Sequence, residues 1–593
     1  MKTQYGVIVV GSGAAGFACA NYLYEFGVKD VCVVTENVNA GTSRNTGSDK
    51  QTYYKLDICS DGGDSVIKMA QDLVRGGCMN GSDALIEAAN SVKCFMDLVA
   101  LGVPFPTDRF GRFEGYRTDH DQTARATSAG PLTSKYMTEA LENKVRKNGT
   151  PILDGCRVIK LITDENACRG VVCLTDKSLI NLYAHAVVLC TGAPAAIYAG
   201  SVYPESQTGA TGLATEAGAE LSNFQEWQYG IASVKFRWNL SGSYQQVVPT
   251  YYSVGADGEK HEFLTENSAP DEIYSLVFLK GYQWPFDSAK TQGSSRIDML
   301  VFEELKKGRR VYLDYRKNPL GFNFDKLSEE AREYLTRAEA LGSTPVERLK
   351  KLNPKALDLY LSHGIDLESE PLEIGLCAQH NNGGIRTDIH SRTNIKNLFC
   401  AGEAAGKFGV YRPGGCALND TQVGALRAAR YIAENTDNSQ ILTPGCTVDY
   451  PRISKNSTLA ELKKRLPEKM SVCAGVIRDT EKLKDLFSEL KSLDDDFYSA
   501  VTVSSADEYA DFFAFRLTVK AMRALAATIL ESAGTIGSRG GSICRTDGKI
   551  LPENTSYRNY VTVTRGDTVT FTPVDTIPDE HTVFEKLLKG KQP

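Results

Sequence analysis

The sequence lacks the spacings that bind metals and haem. No two of its 15 cysteines are arranged as C-x-x-C, which argues against a zinc ribbon, an iron–sulfur cluster or a c-type haem. Several cysteines, such as Cys32 in VCVV and Cys190 in VVLCTG, lie within apolar runs and are expected to be small buried hydrophobic residues. So many unpaired thiols are typical of a reducing compartment. We therefore expect a cytoplasmic protein without a metal site.

Long hydrophobic runs and a strong charge imbalance are also missing. No run of about 18 apolar residues indicates a membrane span, and MKTQYGVIVVGSG leads into a strand pattern instead of a signal peptide. The formal net charge of −6 gives no indication of a nucleic-acid partner. With 42% apolar and 24% charged residues, the composition is that of a globular protein, and 593 residues indicate more than one domain.

A glycine-rich turn stands between a strand pattern and a helix pattern near the N-terminus. YGVIVV is an apolar run suited to a buried parallel strand, GSGAAG follows directly, and FACANYLYEFG has helical spacing. A second apolar run, VCVVTE, ends in a glutamate 20 residues after the last motif glycine. This arrangement is the dinucleotide-binding fingerprint. Its candidate cofactor-binding residues are Gly11, Gly13, Ala14, Ala15, Gly16 and Glu36.

Each part of the fingerprint has a physical reason. Gly11 permits the tight turn, Gly13 lets the backbone approach a pyrophosphate, and Gly16 allows close packing of the helix on the strand. The free N–H groups at the helix N-terminus bind phosphate, and Glu36 can accept hydrogen bonds from ribose hydroxyls. We predict a bound dinucleotide; the alternative is a glycine-rich turn that binds nothing.

Three later segments favour FAD over NAD. CRVIKLITDENACRGVVCLT looks like two strands around a turn, AHAVVLCTGAPA like a buried strand ending in Thr191 and Gly192, and NIKNLFCAGEAAG like another strand, ending at Glu403. Segments of this kind, returning to a first Rossmann unit, resemble the flavoproteins with two dinucleotide-binding domains. The resemblance implies a nucleotide buried along its length, with Val158, Thr191, Gly192 and Glu403 among the residues around it.

The segment KFGVYRPGGCALNDTQVGALRAARYIAE makes the resemblance specific. It is similar to the flavoprotein subunits of succinate dehydrogenase and fumarate reductase, to L-aspartate oxidase and to related flavin reductases. The resemblance implies that Arg412 binds a substrate carboxylate or carbonyl. It also implies a helix from about Leu418 whose N-terminus, at Ala417 and Leu418, contacts the pyrimidine edge of the flavin, where it stabilises negative charge on reduced flavin. The alternative for Arg412 is a surface loop arginine.

Further matches extend over nearly the whole chain. AGTSRNTG places Ser43 where the family has a serine near the flavin, and Arg44 where succinate dehydrogenases often attach FAD to a histidine. QTARATSAGPLTSKYMTEAL resembles a segment that lines the cofactor. TGATGLATEAGAEL resembles the family's TGDG segment, with Gly209 in place of the acid, and ESAGTIGSRGGSICRTDG resembles its SRG segment.

The substrate half of the family's site is altered in this chain. The family motif is His-Tyr-x-x-Gly-Gly, and alignment of CAQHNNGGIRTD on its glycine pair puts Gln379 in the His position and His380 in the Tyr position. A one-residue slip would restore the histidine. Gln379 can hydrogen-bond a carbonyl but cannot carry a proton. A second family histidine, in Gln-Phe-His-Pro, is replaced by Gly230. The candidates for the family's catalytic arginine are Lys290, Ser294 and Arg296.

The resemblance implies an α/β architecture. We predict a Rossmann-like, two-dinucleotide-binding-domain FAD fold, with an inserted α+β capping domain and a C-terminal helical domain. The FAD-binding domain is discontinuous (1–228 and 372–445), and it is followed by the capping domain (229–371), the helical domain (446–540) and a tail with a β-hairpin (541–593). The aromatic residues of the insert either fill its core or line a pocket for a substrate that is aromatic or larger than fumarate.

These features predict an FAD-dependent oxidoreductase. We expect it to reduce an activated carbon–carbon double bond of a substrate other than fumarate, or to run the reverse dehydrogenation, by hydride transfer at flavin N5. The catalytic candidates are Arg412, His380, Tyr411, Gln379 and Arg296. Electrons are expected from a partner protein or from free reduced flavin, since the chain shows no haem or cluster motif. The alternatives are an amine or alcohol oxidase of the L-aspartate oxidase type and an electron-transfer subunit of a larger complex.

We predict that FAD is bound tightly but not covalently. Arg44 stands in the usual attachment position, and residues 40–50 contain no histidine that could form the bond. Acid precipitation of the purified protein should therefore leave the yellow colour in the supernatant. A yellow pellet would refute the prediction.

Overall fold

The computed structural model describes residues 2–59, 63–121, 123–176, 178–266, 268–435 and 439–578. The end of the predicted tail, 579–593, lies outside the described residues. The strands are β1 Gln4–Val10, β2 Val31–Val34, β3 Tyr53–Tyr54, β4 Ala126–Thr127, β5 Ile152–Leu153, β6 Cys156–Asp164, β7 Ala167–Thr175, β8 Ser178–Leu189, β9 Leu221–Ser222, β10 Trp227–Ser233, β11 Trp238–Asn239, β12 Thr250–Val254, β13 Lys260–His261, β14 Arg310–Asp314, β15 Leu372–Asn381, β16 Gly384–Ile385, β17 Leu398–Cys400, β18 Arg452–Ile453, β19 Ile477–Asp479, β20 Thr502–Val503, β21 Ile543–Thr546, β22 Lys549–Ile550, β23 Tyr560–Arg565 and β24 Thr568–Pro573.

The helices are α1 Ala14–Glu25, α2 Thr42–Asn45, α3 Val66–Val74, α4 Gly81–Ala100, α5 Thr133–Lys147, α6 Thr211–Glu216, α7 Ser243–Gln246, α8 Pro270–Lys280, α9 Ser295–Lys306, α10 Glu329–Arg337, α11 Pro345–Leu352, α12 Pro354–Ser362, α13 Cys416–Glu434, α14 Leu459–Cys473, α15 Thr480–Asp495, α16 Phe497–Ala500 and α17 Tyr509–Thr535. Among the described helices, none is both long and apolar enough to cross a membrane.

The main sheet is built around β1 and β8. Its strand order is β5-β2-β1-β8-β7-β6, and β17 also pairs with β8. Pairing is parallel from β5 to β8 and between β8 and β17, whereas β6, β7 and β8 form an antiparallel meander. This is the predicted Rossmann-like α/β architecture. The carboxyl ends of β1, β8 and β17 therefore meet at one edge.

Both faces of this sheet are buried, which explains the unbroken apolar run of β1. Side chains alternate between the two faces of a strand. Val7 and Val9 point into a core shared with α1 and α13. Ile8 and Val10 point into the opposite core, which is shared with α17. A parallel sheet covered on both faces by helices needs apolar residues at successive positions.

Glycines allow the first turn to lie against the end of β8. Gly11 has a φ of +111°, and a Cβ at this position would overlap the carbonyl oxygen of Cys190. A Cβ at Gly16 would overlap the carbonyl oxygen of Gly11. The tight turn and the close packing predicted from the fingerprint are therefore both present.

A second, antiparallel sheet has the strand order β11-β10-β15-β14-β12-β13. It packs with α8, α9 and α10 around a separate hydrophobic core. Strand β15 belongs to this sheet, although the predicted domain boundary between residues 371 and 372 separates it from β12 and β14. Its far end, His380–Asn381, reaches the edge where β1, β8 and β17 end. The division into domains remains a prediction.

Most aromatic residues of the insert fill its core. Trp238, Tyr251 and Tyr274 are each at most 2% exposed and lie in the core of the second sheet. Trp284 differs, because it is only partly buried and packs at the edge of that core. Trp238, Tyr251 and Tyr274 therefore fill the core, as one of the two interpretations expects. Trp284 does not, and its position is described with the candidate site.

Two predicted elements are confirmed and one differs in detail. The helix expected from about Leu418 begins at Cys416, because Gly415 adopts a left-handed conformation with a φ of +99° and ends the preceding turn. The long helix is present as α17. The predicted hairpin forms as β23 and β24, and β23 also pairs with β9.

Lys280 and Asp298 form a buried ion pair between α8 and α9. Lys280 Nζ lies 2.7 Å from Asp298 Oδ2, and neither side chain is exposed. Burial lowers the pKa of Lys280 and raises the pKa of Asp298. Each charge is therefore costly in this core without the other.

Removal of one partner should destabilise the protein more than removal of both. Lys280→Met should lower the free energy of unfolding by about 3–5 kcal/mol, because Asp298 would stay buried without its partner. The double variant Lys280→Met/Asp298→Leu should recover most of that loss, because no buried charge remains. Urea denaturation followed by circular dichroism measures the free energy of unfolding of both variants. An equal loss in the double variant would contradict the argument.

Candidate active site

One cavity at the carboxyl edge of the main sheet collects most residues that the sequence analysis selects. Predicted residues that line it are Gly11, Gly13, Ala14, Ala15, Glu36, Ser43, Val158, Thr191, Gly192, Gln379, His380, Glu403, Ala417 and Leu418. Four predicted residues do not line the cavity: Gly16, which acts through packing, and Arg296, Tyr411 and Arg412. Because the lining comes from segments far apart in the chain, only the fold brings it together.

The N-terminus of α1 lies at one end of this cavity, and this end is suited to phosphate. Gly13 caps the helix without a side-chain hydrogen bond, which leaves N–H groups of the first turn free for an anion. The Ala14 N–H donates to Ser43 Oγ at 3.3 Å, and Ser43 is thereby held at the turn. Ser12 and Thr35 hydroxyls lie 2.8 Å apart and join the turn to the end of β2.

Glu36 follows β2 and is held by a residue that the motif does not predict. Arg157 Nη2 donates to Glu36 Oε1 at 2.5 Å. Burial raises the pKa of Glu36, and the Arg157 charge opposes that rise. One carboxylate oxygen is engaged by arginine, and the other remains for ribose hydroxyls. Arg157 is adjacent to the predicted residue Val158.

Glu403, which follows β17, is a largely buried acid that accepts hydrogen bonds from two donors. The Tyr203 hydroxyl and the Asn381 N–H both donate to Glu403 Oε1, the second at 3.2 Å. Burial raises the pKa of Glu403 to about 7, although the Tyr203 hydrogen bond acts in the opposite direction. This carboxyl group is therefore close to half-protonated near neutral pH.

His380 belongs to a hydrogen-bonded chain that ends on an arginine. His380 Nδ1 lies 3.2 Å from Asn382 Oδ1, and Arg412 Nε donates to the same oxygen at 3.1 Å. Asn382 Nδ2 donates to the Val410 carbonyl at 3.0 Å, which fixes the orientation of the amide. Since Asn382 Oδ1 only accepts, His380 carries its proton on Nδ1.

The other nitrogen of His380 is therefore a bare acceptor. Nε2 is buried, faces the cavity residue Glu403 at 3.6 Å and has no hydrogen-bond partner within the described part of the chain. Burial lowers the pKa of His380 well below its ordinary value, and the charge of Arg412 acts in the same direction. His380 is thus neutral near neutral pH, and its contact with Glu403 is not an ion pair.

Arg412 is oriented by neutral groups only. Nη2 donates to Gln228 Oε1 at 2.9 Å, Nε donates to Asn382, and the guanidinium lies 5.5 Å from the centre of the Phe408 ring. No described carboxylate forms an ion pair with it. The guanidinium is therefore held in a defined direction without a close ion-pair partner, and the carboxyl groups of Glu403 and Asp420 favour its charge only from a greater distance.

Tyr411, the residue before Arg412, contacts a polar cluster formed by Asp119, Asp287 and Lys290. Its hydroxyl donates to Asp287 Oδ1 at 2.7 Å. Lys290 Nζ lies 2.9 Å from Asp119 and 3.8 Å from Asp287, and the His120 ring is 5.0 Å from the Tyr411 ring. Burial raises the pKa of Tyr411, with Asp287 acting in the same direction. Lys290 is therefore connected to the Arg412 segment.

The other two candidates for the catalytic arginine lie elsewhere. Arg296 Nη1 is 3.0 Å from Glu272 Oε1. The Ser294 hydroxyl is fully buried and has no partner among the described residues. Of the three candidates, Lys290 is the one that contacts among the described residues connect to Tyr411, through Asp287.

Arg44 lies beside Ser43 but is engaged outside the cavity. Arg44 Nη2 is 2.5 Å from Glu142, and Nη1 is 3.9 Å from Glu139. The arginine thus serves an ion pair with α5. Non-covalent attachment of FAD remains a prediction that this arrangement supports.

Three further residues of the site have roles that only the structure shows. Gln207 Nε2 donates to the Thr191 carbonyl at 2.7 Å and supports the turn after β8. Gln228 reaches Arg412, and Trp284 Nε1 donates to Gln379 Oε1 at 2.7 Å. Their roles depend on contacts between segments that are far apart in the chain. Asn382 is different, since it stands beside the glycine pair of CAQHNNGGIRTD, which the family motif singles out.

The parallel sheet, the glycine turn against β8 and the cavity at the strand ends define a dinucleotide-binding oxidoreductase. The sequence profile described as FAD binding domain matches residues 6–418, and the chain belongs to this family of FAD-dependent oxidoreductases, as the resemblance predicts. FAD is its cofactor. The glycine turn, the open N-terminus of α1 and the acid after β2 fit the cofactor's phosphates and ribose.

The chain is also similar to individual proteins of known sequence or structure. The chain is 26% identical over 516 residues to a fumarate reductase (CoM/CoB) subunit of Methanothermobacter marburgensis, covering 82% of this chain and 84% of that protein. It is 25% identical over 504 residues to the L-aspartate oxidase of Streptomyces coelicolor, covering 82% and 79%. The fold matches that of Mycobacterium smegmatis Sdh1 with a TM-score of 0.75, at 19% identity, over 100% of this chain and 98% of that chain.

Proposed function

We propose that the protein reduces the activated carbon–carbon double bond of a small carboxylic acid other than fumarate, or catalyses the reverse dehydrogenation. The observation that carries the proposal is the state of Arg412. Its guanidinium is held by the neutral amides of Asn382 and Gln228, and Asn382 also contacts the cavity residue His380. No described carboxylate lies within ion-pair distance of it, and a planar donor fork without such a partner suits a substrate carboxylate.

The residues around the cavity have separable tasks in this reaction. When bound, FAD supplies the hydride chemistry, at N5 of its ring system. Ala417 and Leu418, in the first turn of α13, line the cavity, where the N-terminus of the helix favours negative charge. Arg412 binds and orients the carboxylate, and the same charge polarises the conjugated double bond.

Alkene reduction also needs a proton donor, and we assign it to Lys290. His380 is a poor donor, because it is neutral and its Nε2 carries no proton. Lys290 is a cation 2.9 Å from Asp119, and Asp287 connects it to Tyr411, next to Arg412. Lys290 would give the α carbon its proton and be reprotonated through this cluster. A partner protein or free reduced flavin would supply the electrons.

A second candidate function rests on His380. Its bare Nε2 can accept a proton or a hydrogen bond from an amine or hydroxyl group in the cavity. That chemistry suits oxidation of an amine or alcohol, and L-aspartate oxidases are among the similar proteins. Gln379 and Gly230 favour a substrate other than aspartate, since both replace residues that hold a dicarboxylate in the family.

The function is tested by an anaerobic substrate screen with reduced viologen as electron donor. At least one 2-enoic acid should oxidise the viologen. Fumarate should react several orders of magnitude more slowly than in typical family members, because two charged hydrogen bonds worth about 1.5–3 kcal/mol each are lost and about 1.4 kcal/mol is tenfold. Flavin reduction by amines or alcohols, with no alkene reduced, would establish the second candidate instead.

Two variants should separate substrate binding from cofactor binding. Arg412→Lys should retain FAD, because the predicted cofactor contacts are made elsewhere, but should lower turnover by about 10²-fold or more through loss of the guanidinium geometry. Glu36→Ala should retain less FAD and keep nearly full turnover per bound flavin. Flavin absorbance measures the FAD that each variant retains, and viologen oxidation measures its turnover. Full turnover in Arg412→Lys would place the carboxylate site elsewhere.

A further inference from the structure

Trp284 packs on β10 at Gly230, the position where the strand has no side chain. Gly230 is the residue beneath it, and a Cβ there would lie 2.6 Å from Trp284 Cζ2 and would overlap Gln379 Nε2. The indole and the Gln379 amide therefore pack directly on the strand backbone. Behind the indole, Lys280 Nζ lies 5.0 Å from the ring and is neutralised by Asp298 at 2.7 Å. These contacts fix the indole in one orientation.

The same contacts determine the orientation of the Gln379 amide. An indole N–H can only donate, so the atom that lies 2.7 Å from Trp284 Nε1 is the Gln379 oxygen. Gln379 Nε2 is consequently the free end of the amide. It is buried, lacks a hydrogen-bond partner within the described residues, and Gln379 lines the FAD cavity. A buried donor without a partner is unfavourable until an acceptor arrives.

The wall formed by Trp284 and Gln379 is neutral, in contrast to the neighbouring Arg412. Gln228, which holds Arg412, and Gly230, which lies beneath Trp284, are both on β10 and are separated by a single residue. Arg412 and Trp284 therefore pack on neighbouring positions of one strand. A second carboxylate at the wall would be desolvated without a cation, whereas a flat ring can stack on the indole and accept from Gln379 Nε2.

We infer that the substrate is a 3-arylpropenoic acid whose ring carries a hydrogen-bond acceptor. Its carboxylate binds Arg412, its ring lies against Trp284, and the ring acceptor takes the hydrogen bond of Gln379 Nε2. This inference rests on the proposed function, because it uses Arg412 as the carboxylate site. Trp284 and Gln379 are then the specificity-determining residues.

The test measures binding to the oxidised, FAD-loaded protein, so that it does not depend on turnover. The probes are 3-(4-hydroxyphenyl)propanoate, 3-phenylpropanoate and butanoate, and the readout is the flavin absorbance change. The hydroxyphenyl acid should bind at least tenfold more tightly than butanoate. Trp284→Leu should remove this preference and leave butanoate binding within threefold. Gln379→Leu should remove only the preference for the hydroxyl over the unsubstituted ring.

Two further variants control for structural damage. Tyr282→Phe changes an exposed aromatic residue of the same segment, whose hydroxyl bonds Glu330, and should leave all three affinities unchanged. Trp284→Phe keeps an aromatic face, should keep part of the preference, and carries the test if Trp284→Leu fails to retain FAD. Equal weakening of all three probes in both Trp284 variants would overturn the inference.

The outcomes also separate this inference from the proposed function. If the ring preference depends on Trp284 but no arylpropenoate is reduced in the viologen assay, the aryl-acid binding site stands, whereas alkene reduction fails and with it the arylpropenoate as substrate. If aliphatic enoates are reduced while the wild-type protein shows no preference for aryl acids, alkene reduction stands and the inference fails.

Discussion

The site depends on one arrangement in the main sheet, the parallel pairing of β8 with β1 on one side and β17 on the other. Parallel strands end at the same edge, so this pairing brings the Gly11 turn, the Thr191 turn and Glu403 together. The pairing is possible only because Gly11, with its positive φ, lies directly against the Cys190 carbonyl. Any larger residue would push the first turn away from β8 and open the cofactor cavity.

Strand β15 connects this edge to the second sheet. Its first residues pair with β14, and it pairs with β10 from Ile374 to its end at Asn381. Its last residues carry Gln379 and His380 into the cavity. The stretch CAQHNNGGIRTD thus supplies both a wall residue and the link from Glu403 to Arg412. In this link His380 is neutral and donates from Nδ1 to Asn382, while its Nε2 stays a bare acceptor.

Charge is distributed unevenly over the site. Glu36 and Lys290 each have a partner of opposite charge, Glu403 is close to half-protonated, and His380 is neutral. Arg412 is the exception, since its contacts are amides and an aromatic ring. The contrast between a cation without a close ion-pair partner, Arg412, and the neutral pair of Trp284 and Gln379 underlies both proposals about the reaction.

The amino-acid sequence by itself determined the nucleotide turn, because this follows from local spacing: apolar runs, a glycine motif and an acid at a fixed distance. The fold class and FAD followed from the resemblance of later segments to known flavoproteins. The sequence also marked Arg412 and the altered histidine positions, through a resemblance. Only the tertiary structure decided that Lys290 is connected to Tyr411, that His380 presents a bare Nε2, and that Trp284 covers Gly230. Each of these depends on hydrogen bonds or contacts between segments far apart in the chain, whose relative positions no local pattern encodes.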